Sequence, residues 1–189
     1  MHIDYAGIQF LKSVEGVRTR AYKLKGEKYF TIGVGHTYDP TITASTVWTD
    51  AQINEALKKD IQKYEKYVEK YVTIPLNQSM FNALVSYTYN RGEGGIRELA
   101  SHSHTKQEYA DNIVKYWGKA EHYKDALIRR RKKERDLFLS TENSTKTITE
   151  IAREVVSGLW GVGAERKRRL MQAGYDYKEV RAEVNRMLM

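Results

Sequence analysis

Cysteine is absent from the 189 residues of this sequence. Disulfide bonds, zinc sites built on thiolates and cysteine nucleophiles are therefore all excluded, and the fold must rest on packing alone. Long apolar runs are missing as well. The run 83–85 is typical, and it falls far short of the roughly 20 residues that a membrane-spanning helix needs. We therefore predict no insertion into a membrane.

The N-terminal residues 1–5 lack the positively charged region and the apolar stretch of a secretory signal. We therefore expect no signal peptide, so that any export needs outside help. Hydrophobic residues make up 41% of the chain and aromatic residues 11%, which is typical of a globular protein and not of a disordered one.

Basic residues outnumber acidic ones, with 32 Lys and Arg against 24 Asp and Glu and a formal net charge of +8. Such a charge draws a protein toward polyanions by long-range electrostatic steering. Nucleic acid and an anionic cell wall both fit this description, so charge alone leaves the partner open.

The chain divides at a stretch of small polar residues, 140–146, which lacks apolar periodicity and is typical of a linker. We predict a first domain at 1–140, a linker at 141–146 and a second domain at 147–189. The predicted fold class is α+β: a mainly helical domain with a small β element, followed by a small three-helix bundle.

In the first domain, the apolar spacing over 4–14 predicts a helix that Gly16 ends, so Glu15 lies at a helix C-terminus. The helix dipole opposes a carboxylate at that position. Aromatic and β-branched residues near glycines over 18–37 then predict short strands and tight turns.

Four further helices are predicted in this domain. The first begins near 50 with Thr49 as its cap. Its apolar positions recur at steps of four or three: Ile53, Leu57, Ile61, Tyr64 and Val68. The second follows Pro75, is buried, and is expected to end at 92–95. The others are expected at about 106–118 and 124–139.

In the second domain, Thr147 and Glu150 form a capping box at the start of a first helix. We expect Gly158 to stop that helix and Gly163 to open the next one. Gly174 is expected to close the second helix. Asp176 with Glu179 is predicted to cap a third, with one apolar face formed by Val180, Val184 and Leu188.

Four blocks of the first domain occur in a characteristic order: E-G-V-R-T-R-A-Y at 15–22, T-I-G-V-G-H-T at 31–37, F-N-A-L-V-S-Y-T-Y-N-R-G at 81–92, and R-R-R-K-K-E-R-D-L-F at 129–138. Over about the first 140 residues the chain thereby resembles the phage lysozyme family of glycoside hydrolases. The resemblance implies a lysozyme-like fold in which Glu15 is the general acid. It also implies hydrolysis of the β-1,4 bond between N-acetylmuramic acid and N-acetylglucosamine, with no metal or other cofactor.

The sequence departs from the pattern E-x8-D-x5-T of this family. Leu24 stands where the aspartate is expected, and Thr31 comes one residue late, which implies an insertion in the loop between them. Glu27 or Asp39 can supply the second carboxylate. We slightly favour Glu27, since a one-residue loop change can re-aim a longer side chain, and expect Thr31 to help hold the attacking water.

The resemblance also implies a sugar groove lined by Asn90 and Tyr89, with His36 as a further substrate-binding candidate. His36 is expected to act mainly through structural hydrogen bonds, because no second histidine or acid lies nearby at metal-ligand spacing. Within the basic run 129–133, the family pattern implies that paired arginines fix the last helix against the catalytic lobe.

The second domain contains E-V-V-S-G-L-W-G-V-G-A-E-R at 154–166 and A-G-Y-D-Y at 173–177, and resembles the CW_7 cell-wall-binding repeat. The resemblance implies binding to the glycan–peptide unit of peptidoglycan, weak per chain because a single copy is present. The candidate contact residues are Trp160, Arg166, Tyr175, Asp176 and Tyr177. Trp160 stacks on sugar only if it is exposed, its alternative being the core of the bundle, and Asp176 already has a capping role.

Together these features predict a monomeric phage endolysin, made in the host cytoplasm and released to the wall through a separate membrane pore. Two other functions stay open. The missing aspartate is compatible with a catalytically impaired protein that only binds cell walls. The basic runs, including the short helix with 165–169, are compatible with a nucleic-acid-binding protein, although the lysozyme-like domain argues against this.

Overall fold

The computed structural model describes residues 1–118, 123–140, 146–156, 158–173 and 175–188. In these ranges the chain is mostly helical with a small sheet, as the sequence predicts. Helices α1 to α5 are Tyr5–Glu15, Asp50–Tyr71, Gln78–Ser101, Lys106–Lys115 and Lys124–Leu139. Helices α6 to α8 are Ile148–Val156, Gly163–Gln172 and Tyr177–Leu188. None of these described helices combines the length and the apolar character that crossing a membrane requires.

Helix α1 ends at Glu15, as predicted. Asp4 caps its start by accepting a hydrogen bond from the Gly7 backbone N–H at 2.8 Å, and Asn82 of α3 donates to the same carboxylate oxygen at 2.7 Å. A Cβ at Gly7 would lie 2.5 Å from the Asn82 side chain, so glycine allows α1 to approach α3 closely. Gly16 then ends the helix at φ 79°, a backbone conformation that glycine adopts at no steric cost.

Strands β1 (Arg18–Tyr22) and β2 (Thr31–Gly33) pair antiparallel, with Tyr22 opposite Thr31 and an irregular register along the pair. Ile32 and Val34 are buried and anchor this small sheet to the rest of the domain. The predicted β element is therefore present, and it places the following loop beside the end of α1.

Helix α2 follows the predicted period. Thr49 and Gln52 form a reciprocal capping box at its start. The predicted inward positions are buried, except for the half-buried Tyr64: Ile53, Leu57, Ile61 and Val68. Burying each such side chain stabilises the fold by roughly 1.5–3 kcal/mol, so the apolar face, and not helix propensity, holds α2 in place.

Helix α3 is the centre of the first domain and packs against α1, α2, α4 and α5. Its buried apolar side chains are Met80, Phe81, Ala83, Leu84, Val85, Tyr87, Ile96 and Leu99. The prediction that this helix ends at 92–95 is confirmed at Gly92, where the backbone leaves helical geometry with φ 68° and ψ −173°. A second helical segment, which was not predicted, follows this kink and continues to Ser101. Ile96 and Leu99 of that segment are buried against the core.

Helices α6, α7 and α8 enclose a second, smaller core. It consists of Ile151, Ala152, Val155, Trp160, Leu170, Val180 and Val184. The predicted caps are present: Thr147 and Glu150 bond reciprocally, and Asp176 accepts the backbone N–H groups of Lys178 at 2.7 Å and Glu179 at 3.1 Å.

Three further predictions concern Leu188, Gly174 and the linker. The prediction that Leu188 joins Val180 and Val184 on the apolar face was wrong, because Leu188 is 69% exposed. It lies in the last turn of α8, where little is left to pack against. The predictions for Gly174 and for most of the linker, 141–145, lie outside the described residues.

Candidate active site

A polar pocket of about 240 Å³ opens at the C-terminal end of α1. Glu15 lines it from α1, and the loop after β2, helix α2 and helix α3 supply the other walls. Those walls are Gly35, Thr37, Tyr38, Asp60, Lys63, Tyr64, Tyr89 and Asn90. Residues from three of the four sequence blocks, 15–22, 31–37 and 81–92, thus meet in one concave site.

The Glu15 side chain is 20% exposed, and its Oε1 lies 2.6 Å from Nη2 of Arg130. This contact has the distance of an ion pair but not the angles of a hydrogen bond, and Oε1 makes no hydrogen bond to the described residues. The guanidinium offsets the unfavourable end of the α1 dipole. The Arg130 guanidinium therefore fixes the Glu15 carboxylate, which also lines the open pocket.

Arg130 belongs to a buried network on α5. Its Nε donates to Glu134 at 2.9 Å and its Nη2 to the Ser86 carbonyl at 3.2 Å, while the Ser86 hydroxyl donates to Glu134 at 2.8 Å. Burial lowers the pKa of Arg130, but the carboxylates of Glu134 and Glu15 outweigh that effect and the pKa is raised. Arg130 therefore remains a cation, as a buried charge with ion-pair partners should.

Arg131 joins the same network from the other side. It is fully buried, contacts Glu134 and the side-chain carbonyl oxygen of Asn90, and its guanidinium lies 4.7 Å from the Tyr87 ring centroid. Burial lowers the pKa of Arg131. Within the run 129–133 only Arg130 and Arg131 are buried, which agrees with the expected structural role for a pair of arginines.

The two predicted groove residues on α3 both line the pocket. Asn90 is exposed, and since Arg131 occupies its carbonyl oxygen, its amide NH₂ is left to donate into the pocket. Tyr89 is half-buried. Its hydroxyl donates to the Val34 carbonyl at 2.6 Å, and burial raises its pKa. Tyr89 thus forms a wall that fixes the loop after β2.

His36 lies behind the pocket wall, between two carboxylates. Its Nδ1 is 2.8 Å from Asp60 Oδ2, its Nε2 is 3.6 Å from Asp39 Oδ2, and its ring packs on Trp48 with the centroids 5.2 Å apart. It is not among the residues that line the pocket. The arrangement matches the expected structural hydrogen bonding.

The predicted second acids occupy different surroundings. Glu27 turns back into its own loop, where it accepts the Leu24 backbone N–H at 2.9 Å, and it does not line the pocket. Asp39 does not line the pocket either, but it directly follows the pocket residues Thr37 and Tyr38. It accepts both the backbone N–H and the hydroxyl of Thr41, at 2.9 and 2.7 Å, and these hydrogen bonds lower the pKa of Asp39.

Thr31 begins β2 and is half-buried, outside the pocket lining. Asp60 is the acid that the sequence analysis missed, since it lines the pocket together with Glu15. In the sequence it is one of several charged residues of a long amphipathic helix. The available signal was its helical spacing from Lys63 and Tyr64, which places all three on one face.

Residues 12–134 match the family model of the phage lysozymes, which is more than half of the chain. The endolysin of Salmonella phage P22 is 37% identical over 146 residues, covering 74% of this chain and 99% of that protein. The chain belongs to the phage lysozyme family.

Two further relatives are similar to this chain over about three quarters of its length. The endolysin of Bacillus phage B103 is 35% identical over 148 residues, covering 76% of this chain but only 56% of that relative. The present chain therefore spans less than two thirds of the length of the B103 endolysin. The solved muramidase domain of SpmX from Asticaccaulis excentricus superimposes with a TM-score of 0.66 at 30% identity, covering 74% of this chain and 99% of that domain.

Beyond the phage lysozyme domain, residues 149–188 match the CW_7 repeat. Trp160 of this repeat is only 8% exposed; its indole N–H donates to Glu154 at 2.9 Å and its ring packs edge-on against Tyr175. The condition for sugar stacking, exposure, is therefore not met. Trp160 is a core residue, because a bundle this small needs its large aromatic inside.

The other candidates in the CW_7 repeat are more accessible. Arg166 is half-buried and donates to the Gly161 carbonyl at 2.8 Å, Tyr175 and Tyr177 are half-buried, and Asp176 caps α8. An open depression of about 470 Å³ also lies on α7 of the repeat. No carboxylate lines it, so it offers binding surface but no general acid.

Proposed function

We propose that this chain is an endolysin-type muramidase that hydrolyses the β-1,4 bond between N-acetylmuramic acid and N-acetylglucosamine in bacterial peptidoglycan. One observation carries the proposal: Glu15 lines a polar pocket and is ion-paired to a buried arginine, in a chain of the phage lysozyme family. Its relatives include phage endolysins and a muramidase domain, which supports the same chemistry.

Glu15 acts as the general acid. Glycoside hydrolysis needs a carboxylic acid that protonates the leaving oxygen while positive charge develops on the sugar ring. Arg130 engages Oε1, so Oε2 is the oxygen that delivers the proton. Asn90 donates its amide NH₂ to the substrate, which orients an acetamido group beside the bond to be cleaved.

The second carboxylate, in our proposal, is Asp39. This group must be ionised while Glu15 is protonated, and the two hydrogen bonds from Thr41 favour the ionised form of Asp39. Its other oxygen faces His36 and is not held by Thr41. Asp60 is assigned a positioning role, because its Oδ2 lies 2.8 Å from His36 Nδ1, within hydrogen-bond distance, whereas Asp39 Oδ2 lies 3.6 Å from His36 Nε2. Thr31 remains our candidate for holding the attacking water.

The CW_7 repeat anchors the enzyme on the cell wall. Arg166, Tyr175 and Tyr177 are the accessible members of the predicted contact set, and the basic depression on α7 adds Lys167 and Arg168. One repeat, residues 149–188, is expected to bind weakly by itself, because tandem copies gain from effective concentration. Sedimentation of the full chain with purified walls should weaken on Arg166→Ala but not on Arg97→Ala, an exposed arginine of the other domain.

The decisive experiment measures reducing ends released from purified walls. Glu15→Gln should lower the rate at least about a hundredfold, the contribution of a general acid, and Asp39→Asn should lower it comparably. Asp60→Asn should have a smaller effect, and Glu27→Gln, the matched loop control, none. No release by the unaltered chain, with retained sedimentation on walls, would instead favour an impaired wall-binding protein.

A further inference from the structure

Tyr38 has an unusual backbone conformation. Among the described ranges it is the only residue other than glycine with a positive φ, at 66°. A bulky side chain with a Cβ is disfavoured there, and such outliers cluster at functional sites. Glycine or asparagine would fit this position of the loop with less strain.

Burial in the core does not compensate for this backbone conformation, because Tyr38 is 79% exposed. A large aromatic side chain left in water contributes little to folding. Neither the local backbone nor the core therefore explains a tyrosine at this position, which leaves a contact made only when something binds.

Tyr38 lines the same pocket as Glu15. A molecule bound in that pocket can therefore contact the Tyr38 ring. The other aromatic residues of the lining are already engaged. Tyr64 packs on Tyr89 with the centroids 4.8 Å apart and has the Lys63 ammonium 4.8 Å from its own centroid. Tyr38 is thus the one lining aromatic among the described residues that presents a largely open ring.

The ring of Tyr38 is also supported from one side. Tyr29, which is half-buried, packs against it edge-to-face with the centroids 5.8 Å apart and the planes at 62°. This contact restricts the ring before any ligand arrives, and a restrained side chain loses less entropy on binding. A supported, exposed aromatic ring at the rim of a polar pocket is suited to the apolar face of a pyranose ring.

We propose that Tyr38, supported by Tyr29, is a stacking platform for one N-acetylated sugar unit of the glycan strand, next to the bond that Glu15 cleaves. The platform rests on the proposed function for the identity of its ligand. Tyr38 is a positioning residue, because it contacts the strand away from the reacting atoms and fixes where the strand lies over Glu15.

A binding experiment tests the platform without turnover. Full-length Glu15→Gln protein is titrated calorimetrically with the β-1,4-linked hexamer of N-acetylglucosamine. Adding Tyr38→Ala should weaken binding by about tenfold, and Tyr38→Trp should retain it. Tyr123→Ala is the matched control, since Tyr123 is 66% exposed and does not line the pocket, and should bind like the parent. Equal affinity of the parent and Tyr38→Ala, or no binding by the parent, overturns the proposal.

Two further measurements separate a platform from a structural role. Tyr38→Gly removes the steric strain of a positive φ, so the melting temperature of this variant should rise while its affinity for the hexamer falls. A lower melting temperature in both the Gly and the Ala variant would indicate a packing role instead. In the active chain, Tyr38→Ala should raise KM for wall digestion more than it lowers kcat. If Glu15→Gln still released reducing ends, the proposed function would fail, yet the hexamer titration would still report on Tyr38.

Discussion

Arg130 and Glu15 lie with Nη2 and Oε1 2.6 Å apart, and the same guanidinium donates from Nε to the buried Glu134 at 2.9 Å. One arginine of α5 thus connects the last residue of α1 to the core of the domain. The orientation of the proposed general acid depends on this connection, because Glu15 occupies a helix end whose dipole does not favour its charge.

Replacing Arg130 with lysine keeps the charge but removes the connection. A single ammonium on a flexible stem cannot reach Glu15, Glu134 and the Ser86 carbonyl together. We expect Arg130→Lys to lower wall digestion by about tenfold or more, since small misplacements of catalytic groups are costly. The neighbouring Arg129→Lys, on the exposed face of α5, is the control and should be neutral. A fully active Arg130→Lys variant would show that the guanidinium does not position Glu15.

Glu134→Gln should destabilise the fold more than it alters the pocket. Glu134 is fully buried and is the carboxylate shared by Arg130 and Arg131, so its neutralisation leaves two cations in the interior without that partner. We expect a loss of about 3–5 kcal/mol in the free energy of unfolding, measured by urea denaturation. Glu98→Gln is the matched control, because its pair with Arg91 is 43% exposed on the carboxylate side and should contribute under about 1 kcal/mol.

Helix boundaries and apolar faces were well predicted because they depend on local periodicity. The capping box of Thr49 and the buried face of α2 follow directly from the spacing of apolar residues. The break at Gly92 was predicted from glycine, but the helical segment that follows it was not. That segment depends on the burial of Ile96 and Leu99, which local periodicity did not indicate.

The site was predicted only in part, for a related reason. Glu15, Tyr89 and Asn90 were found through the family blocks, and all three line the pocket. Asp60 was missed, because a charged residue within a helix is by default a solvated one. A structural role for paired arginines in 129–133 was expected from the family pattern, but their shared counter-charge, Glu134, was not identified, because charge pairs are located only in three dimensions.

Thr49→Ala tests how far α2 depends on its capping box. The threonine hydroxyl accepts the Gln52 backbone N–H at 3.3 Å, and the Gln52 side chain accepts the Thr49 N–H at 2.9 Å. We expect a loss of about 1 kcal/mol in the free energy of unfolding, the usual effect of removing a cap. Thr73→Ala, a change in the loop after α2, serves as the control. An unchanged unfolding midpoint in Thr49→Ala would mean that core packing alone fixes the start of α2.

The CW_7 repeat should lose stability at low pH through Glu183. Hydrogen bonds from Arg186 and from the Thr149 hydroxyl lower the pKa of Glu183 from 4.5 to about 2 and connect α8 to α6. A depressed pKa means that the folded state binds the proton less readily than the unfolded state. The contribution of Glu183 to the free energy of unfolding is therefore fully present above pH 4.5 and is lost as the pH falls toward 2.

Glu183→Gln should accordingly lower the protection of the α8 amides against hydrogen exchange at neutral pH, and the difference from the unaltered chain should vanish near pH 2. Glu179→Gln, in the first turn of the same helix, provides a comparison at an exposed site. A difference between Glu183→Gln and the unaltered chain that stays constant from pH 7 to pH 2 would show that the effect comes from side-chain shape. In that case the charge of Glu183 would have no part in joining α8 to α6.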